Sequence, residues 1–87
     1  MHYNPYMRIT VRFFAVLKDR AGVGETELEL PSESTVASAF EMLCARFPEL
    51  KRDYARIAYA VNRIYGKPDH VLKDGDELAL IPPVSGG

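Results

Sequence analysis

Cysteine is nearly absent from this chain: Cys44 is the only one, and there is no tryptophan. A single thiol excludes an internal disulfide and leaves no cysteine pair to hold a metal. His2 and His70 are the two histidines, far apart in sequence and without candidate ligands beside them. No sign of charge prevails, since 11 basic and 12 acidic residues give a formal net charge of −1. That balance argues against nonspecific nucleic-acid binding, which needs a basic field to displace counterions. Arg46, Lys51, Arg52 and Arg56 gather loosely, but Glu49 and Asp53 interrupt them, which is the pattern of a solvated face. No apolar run approaches the roughly 20 residues of a membrane helix. The N-terminus lacks the charged-then-apolar order of a secretion signal. The expectation is a cytoplasmic protein with no membrane partner. Resident catalytic sets are missing too: there is no Ser-His-Asp arrangement, no Cys-His pair, no glycine-rich phosphate loop and no metal-ligand spacing.

What remains is ordinary globular material, 47% apolar and 26% charged over 87 residues. That is one domain with a modest core. Residues 1–6 read as an extension ahead of the first patterned segment. From residue 8 to 17 the chain reads as a strand, with Ile9, Val11 and Phe13 alternating against Arg8, Thr10 and Arg12. Phe14 breaks that phase and falls with Arg12, outside the core. Residues 18–24 carry two glycines and read as a loop. Leu28 and Leu30 alternate with Glu27 and Glu29 in a second strand, so a hairpin is expected. Ser34 or Thr35 supplies a helix cap. Val36, Phe40, Leu43 and Phe47 then recur at helical spacing, with Ala39 beside them. Pro48 disfavours helical geometry at Phe47 and should stop the helix there. Cys44 lies near the apolar stripe and reads as a small buried thiol. Residues 49–56 form a polar connection, and residues 57–61 a third strand. Asn62-Arg63 turns into a short strand around Ile64-Tyr65. Lys73-Asp74-Gly75-Asp76 is a turn. Glu77 to Ile81 is the last strand, with Ala79 and Ile81 on one face. One main helix and about five strands make an α+β domain in which a mixed sheet covers the helix. Such a helix hides one sheet face only, and Phe14 and Ile81 are candidates for the other.

The end of the sequence is its most specific part: Pro82-Pro83-Val84-Ser85-Gly86-Gly87. The prolines cannot donate ladder hydrogen bonds, so pairing must stop before them. Two glycines without side chains can enter a slot where a Cβ would clash. At about 7% average usage, glycine would occupy both positions about 0.5% of the time. Residues 82–87 reach at most about 20 Å when extended. The domain plan is therefore residues 1–6 as an extension, 7–81 as the folded domain and 82–87 as a flexible tail.

Four segments together carry a family likeness: Val11-Arg12-Phe13-Phe14-Ala15, Ala60-Val61-Asn62, Leu72-Lys73-Asp74-Gly75-Asp76-Glu77 and the closing Pro-Pro-Val-Ser-Gly-Gly. Over about residues 7–87 the chain resembles the small subunits of molybdopterin synthase, within the ubiquitin-like β-grasp sulfur carriers. The resemblance implies a β-grasp fold. It implies that an adenylating enzyme, related to ubiquitin-activating enzymes, uses ATP to activate the Gly87 carboxylate. A sulfur donor protein then displaces AMP and leaves a thiocarboxylate. The large synthase subunit takes up Pro82, Pro83, Val84, Ser85 and Gly86 as a threaded arm, in an expected heterotetramer. Two sulfur donations to a pterin precursor build the dithiolene of molybdopterin. On this resemblance no cofactor is permanently bound, and sulfur is carried covalently at the C-terminus. Phe14 matches a phenylalanine that packs on the large subunit. Ile81 stands where relatives often carry phenylalanine, and Tyr65 replaces an aliphatic position of the same interface. Asp74, Asp76 and Glu77 are candidates to meet basic groups of a partner, or else form a solvated turn. A sulfur carrier for thiamin, cysteine or tRNA thiolation, and a ubiquitin-like protein modifier, are the alternatives; an inert interaction domain comes last.

Overall fold

The computed structural model describes residues 4–83, and the side chains of all of these except residues 53–55. Alternation makes the first strand, β1 (Tyr6–Phe13): Met7, Ile9, Val11 and Phe13 are buried, while Tyr6 and Arg8 are exposed and Thr10 and Arg12 half-buried. The strand stops at Phe13, short of the expected residue 17. Ala15 turns the backbone with φ 51° and ψ −127°, and the Leu17 N–H closes the turn on the Phe14 carbonyl at 3.0 Å. A short helix follows, α1 (Val16–Ala21), where a strand end and a loop were expected. Its Leu17 is fully buried. Gly22 caps its end in the left-handed conformation at φ 80°, donating its N–H to the Lys18 carbonyl, as glycine is suited to do.

The chain returns as β2 (Glu25–Pro31), antiparallel to β1, with Tyr6 opposite Pro31 and Arg12 opposite Glu25. The expected pairing therefore forms, but α1 lies in the connection. Leu28 and Leu30 face inward, and the three glutamates of the strand face outward.

Helix α2 (Val36–Arg46) starts at Thr35, whose Oγ1 accepts the Ser38 N–H at 3.2 Å. Ser34 is occupied elsewhere, donating its hydroxyl to the Pro31 carbonyl. The next free donors of the helix are met by a distant loop: Val36 N–H bonds the His70 carbonyl and Ala37 N–H the Pro68 carbonyl. The helix ends where Pro48 predicts, with Phe47 out of helical geometry at φ −126°, ψ 81°. Val36, Ala39, Phe40, Leu43 and Cys44 form its buried stripe. Phe47 packs edge-on to Phe13, ring centres 5.6 Å apart. A 3₁₀ segment (Pro48–Arg56) then crosses the domain, anchored by the buried Leu50.

Strands β3 (Ala58–Val61) and β4 (Ile64–Gly66) form a hairpin. Asn62 and Arg63 both take positive φ, 51° and 70°, as a two-residue hairpin turn requires. Gly75, at φ 85°, reverses the chain into β5 (Glu77–Ile81). β5 lies parallel to β1 and antiparallel to β3, giving the sheet order β2-β1-β5-β3-β4. This is the β-grasp arrangement, one mixed sheet closed over α2.

Candidate functional site

The parallel pairing of β1 with β5 builds the site. Phe13 stands opposite Leu80, and the Phe14 N–H donates to the Leu80 carbonyl at 3.3 Å. The exit of β1 therefore lies beside Ile81 and Pro82, where the C-terminal segment leaves the sheet. Pro82 is half-buried and Pro83 exposed. Val84, Ser85, Gly86 and Gly87, the remaining expected arm residues, lie outside the described residues.

Alternation fixes the face turned away from α2. It carries Arg8, Thr10 and Arg12 of β1, the glutamates of β2, Glu77, Ala79 and Ile81 of β5, Ala58 and Ala60 of β3, and Tyr65 of β4. One register row crosses the whole sheet: Glu25, Arg12, Ala79, Ala60, Tyr65. Ile81 stands opposite Ala58 in the next row. Phe14 joins this face, because the Arg12 guanidinium lies over its ring at 5.7 Å. Phe14 is 42% exposed and Tyr65 75%. The structure thus brings Phe14 and Ile81 together at the end of β5. Tyr65 shares their face at the far edge, three strand spacings or about 14 Å away from β1.

Three alanines floor the space between these larger groups. Ala60 and Ala79 are buried and Ala58 half-buried although they face away from the helix. Small side chains there leave a shallow floor that another protein can approach closely. Sequence reading placed Ala79 on this face but not the alanine floor. The signal was available, in the alternation of the Ala58-Tyr59-Ala60-Val61 strand.

Arg12 also bridges Glu25 and Glu77 at 3.8 Å each, and Arg8 bridges Glu29 at 3.7 Å. All these groups are substantially exposed, so each pair contributes little stability. Their effect is to orient Arg12 over Phe14. Asp74 and Asp76 tie the turn together. Asp74 accepts the Arg8 N–H at 2.9 Å, and Asp76 accepts the Lys73 N–H at 2.8 Å and the Asn62 side-chain amide at 2.9 Å. Asn62 completes the set by accepting the Glu77 N–H at 2.9 Å.

Cys44 is buried on the helix side. Burial pushes its thiol pKa up, and Glu41 adds to this while Lys51 opposes it. A raised pKa makes it a poor nucleophile. The groove of about 560 Å³ beside it, lined by Phe40, Glu41, Cys44, Ala45 and Lys51, belongs to the helix layer. Among the described residues no polar or charged side chain is buried, no group of three or more His, Cys, Asp or Glu residues is placed to hold a metal, and no helix is long and apolar enough to cross a membrane. What this arrangement offers is an open sheet face with exposed aromatics, Phe14 and Tyr65, and with Pro82 following β5 beside Phe14.

Fold and site together define a small β-grasp carrier, a domain whose central strand β5 runs out at Ile81 beside the exposed Phe14. The comparisons agree. The ThiS family profile matches residues 11–87, and the chain belongs to that family. The "Molybdopterin synthase sulfur carrier subunit" of Chlamydomonas reinhardtii is 37% identical, covering 93% of this chain and 100% of the relative. The Arabidopsis thaliana protein of the same name is 35% identical over 93% of this chain and 84% of its own length. Three solved structures share the fold. A Pyrococcus furiosus chain, assigned as molybdopterin converting factor subunit 1, superposes with a TM-score of 0.82 at 34% identity, covering 90% of this chain and 99% of its own. The small archaeal modifier protein 1 of Haloferax volcanii gives 0.83 at 28% identity, with 90% and 99% covered. A Helicobacter pylori complex of subunits 1 and 2 of molybdopterin-converting factor gives 0.64 at 26% identity, with 93% and 100% covered.

Proposed function

We propose that this chain is the sulfur-carrying small subunit of molybdopterin synthase. The observation that carries the reading is the emergence of the C-terminal segment from β5 beside Phe14 and Ile81, on the open sheet face. Relatives that carry the name of that subunit, and the complex of subunits 1 and 2, support it. In this reading the Gly87 carboxylate attacks the α-phosphate of ATP on an adenylating enzyme, releasing pyrophosphate and forming an acyl-adenylate. Sulfur delivered by a donor protein displaces AMP, leaving a thiocarboxylate. The large subunit docks on the Phe14–Ile81 face and admits residues 82–87. Stiff prolines at the base of the arm lower the entropy lost on insertion. The thiocarboxylate transfers its sulfur to the pterin precursor, and two such transfers complete the dithiolene. The chain acts as co-substrate within a heterotetrameric sulfurtransferase, in the cytoplasm and without a bound cofactor, while its partners supply the catalytic groups.

The test is intact mass after incubation with ATP, the activating enzyme and a sulfur source. The expected result is the gain of one sulfur in place of one oxygen, absent when Gly87 is deleted. The likeness to an archaeal modifier protein favours one second reading, in which the activated carboxylate is joined to lysine amines. That reading predicts higher-mass conjugates which disappear with Gly86-Gly87.

A further inference from the structure

The turn that ends β1 contains a residue in an unfavourable conformation. It runs Phe14-Ala15-Val16-Leu17, closed by the Leu17 N–H on the Phe14 carbonyl at 3.0 Å. Ala15 occupies its second position at φ 51°, ψ −127°. This is the type II′ geometry, which glycine adopts freely and an L-alanine only under strain. Asn62 also has positive φ, but its side chain is tied by two hydrogen bonds that favour the turn. Ala15 has no such group. Its methyl buries nothing in compensation either, because Ala15 is exposed.

The position of this turn gives the strain a meaning. β1 and β5 run parallel, so the turn stands next to Ile81 and Pro82. An open cleft of about 480 Å³ adjoins it, lined among others by Arg12, Phe14, Ala15, Lys18 and Glu25. A protein that receives the segment after Ile81 must come up against the ends of both strands. Ala15 lies within that footprint.

We propose that Ala15 is a contact residue for the large subunit, its methyl held outward by the strained turn to pack against the partner beside Phe14. The inference rests on the reading above that this face docks the large subunit. Glycine would form the same turn without strain, and the methyl alone distinguishes alanine from it. Ala15→Gly should therefore move stability and affinity in opposite directions, a split that a merely structural role does not produce.

The experiment uses the full-length chain and its cognate large subunit. Ala15→Gly should raise Tm and weaken binding about fourfold by calorimetry, the effect of withdrawing one methyl-sized group from a dry contact. Phe14→Ala is measured beside it. Weakened binding by Phe14→Ala with unchanged binding by Ala15→Gly overturns the assignment of Ala15 and leaves the docking face intact. Unchanged binding by both overturns the docking face as well. A lower Tm together with weaker binding for Ala15→Gly shows a structural residue and overturns the proposal.

Discussion

Truncating Phe14 to alanine tests the docking face with a magnitude that the structure supplies. The ring is 42% exposed. A phenylalanine buries about 200 Å² when fully covered, so docking would remove roughly 80 Å² of further apolar surface from water. At about 25 cal/mol per Å² that is about 2 kcal/mol, or about thirtyfold in Kd. The Arg12 guanidinium, 5.7 Å from the ring centre, also loses its stacking partner, an effect on the free chain rather than on docking. More than half of the residue is already covered in the free chain, so Phe14→Ala should lower Tm as well while leaving the domain folded. Calorimetric titration with the large subunit reads the affinity, and thermal unfolding of the free chain reads the stability. Affinity within twofold of the parent, with the fold intact, would refute the placement of Phe14 in the interface. Failure of the variant to fold would refute it differently, by showing that the ring belongs to the core. Phe14→Arg should weaken binding further while adenylation of the C-terminus proceeds, since the two steps use different parts of the chain.

Two further predictions concern the frame around this face. Asp76→Ala removes the acceptor of the Lys73 N–H and of the Asn62 amide, and should cost about 1–2 kcal/mol in urea unfolding; an unchanged midpoint would show that the turn holds itself. The pKa of Cys44 is raised in the fold, so folding favours the protonated thiol. That contribution is fully present below the unfolded thiol's pKa of about 8.5 and is lost as pH rises through the higher folded value. Stability should therefore decline with alkalinity in the parent more steeply than in Cys44→Ala. Parallel pH profiles for the two would contradict this.

Much of the frame was readable before the structure, for local physical reasons. Alternation in β1 is unbroken because one face meets α2 and the other does not. Pro48 stops α2 by constraining Phe47, and Gly75 supplies the positive φ of its turn. Phe14 announced itself by falling out of phase. The strand ends there, which explains the phase break better than a continued strand would. Helix α1 was missed because its entry uses a strained alanine where glycine is the usual signal, and because six residues carry little periodicity. The Asn62–Asp76 bridge joins residues that only the fold makes neighbours. The stacking of Arg12 on Phe14 depends in the same way on strands β2 and β5, whose glutamates hold the guanidinium in place.

The most direct measurement is the mass of the intact chain after treatment with the activating enzyme, ATP and a sulfur source. The account predicts replacement of one oxygen by sulfur, abolished by deleting Gly87. An unchanged mass while the same enzyme demonstrably consumes ATP would contradict it.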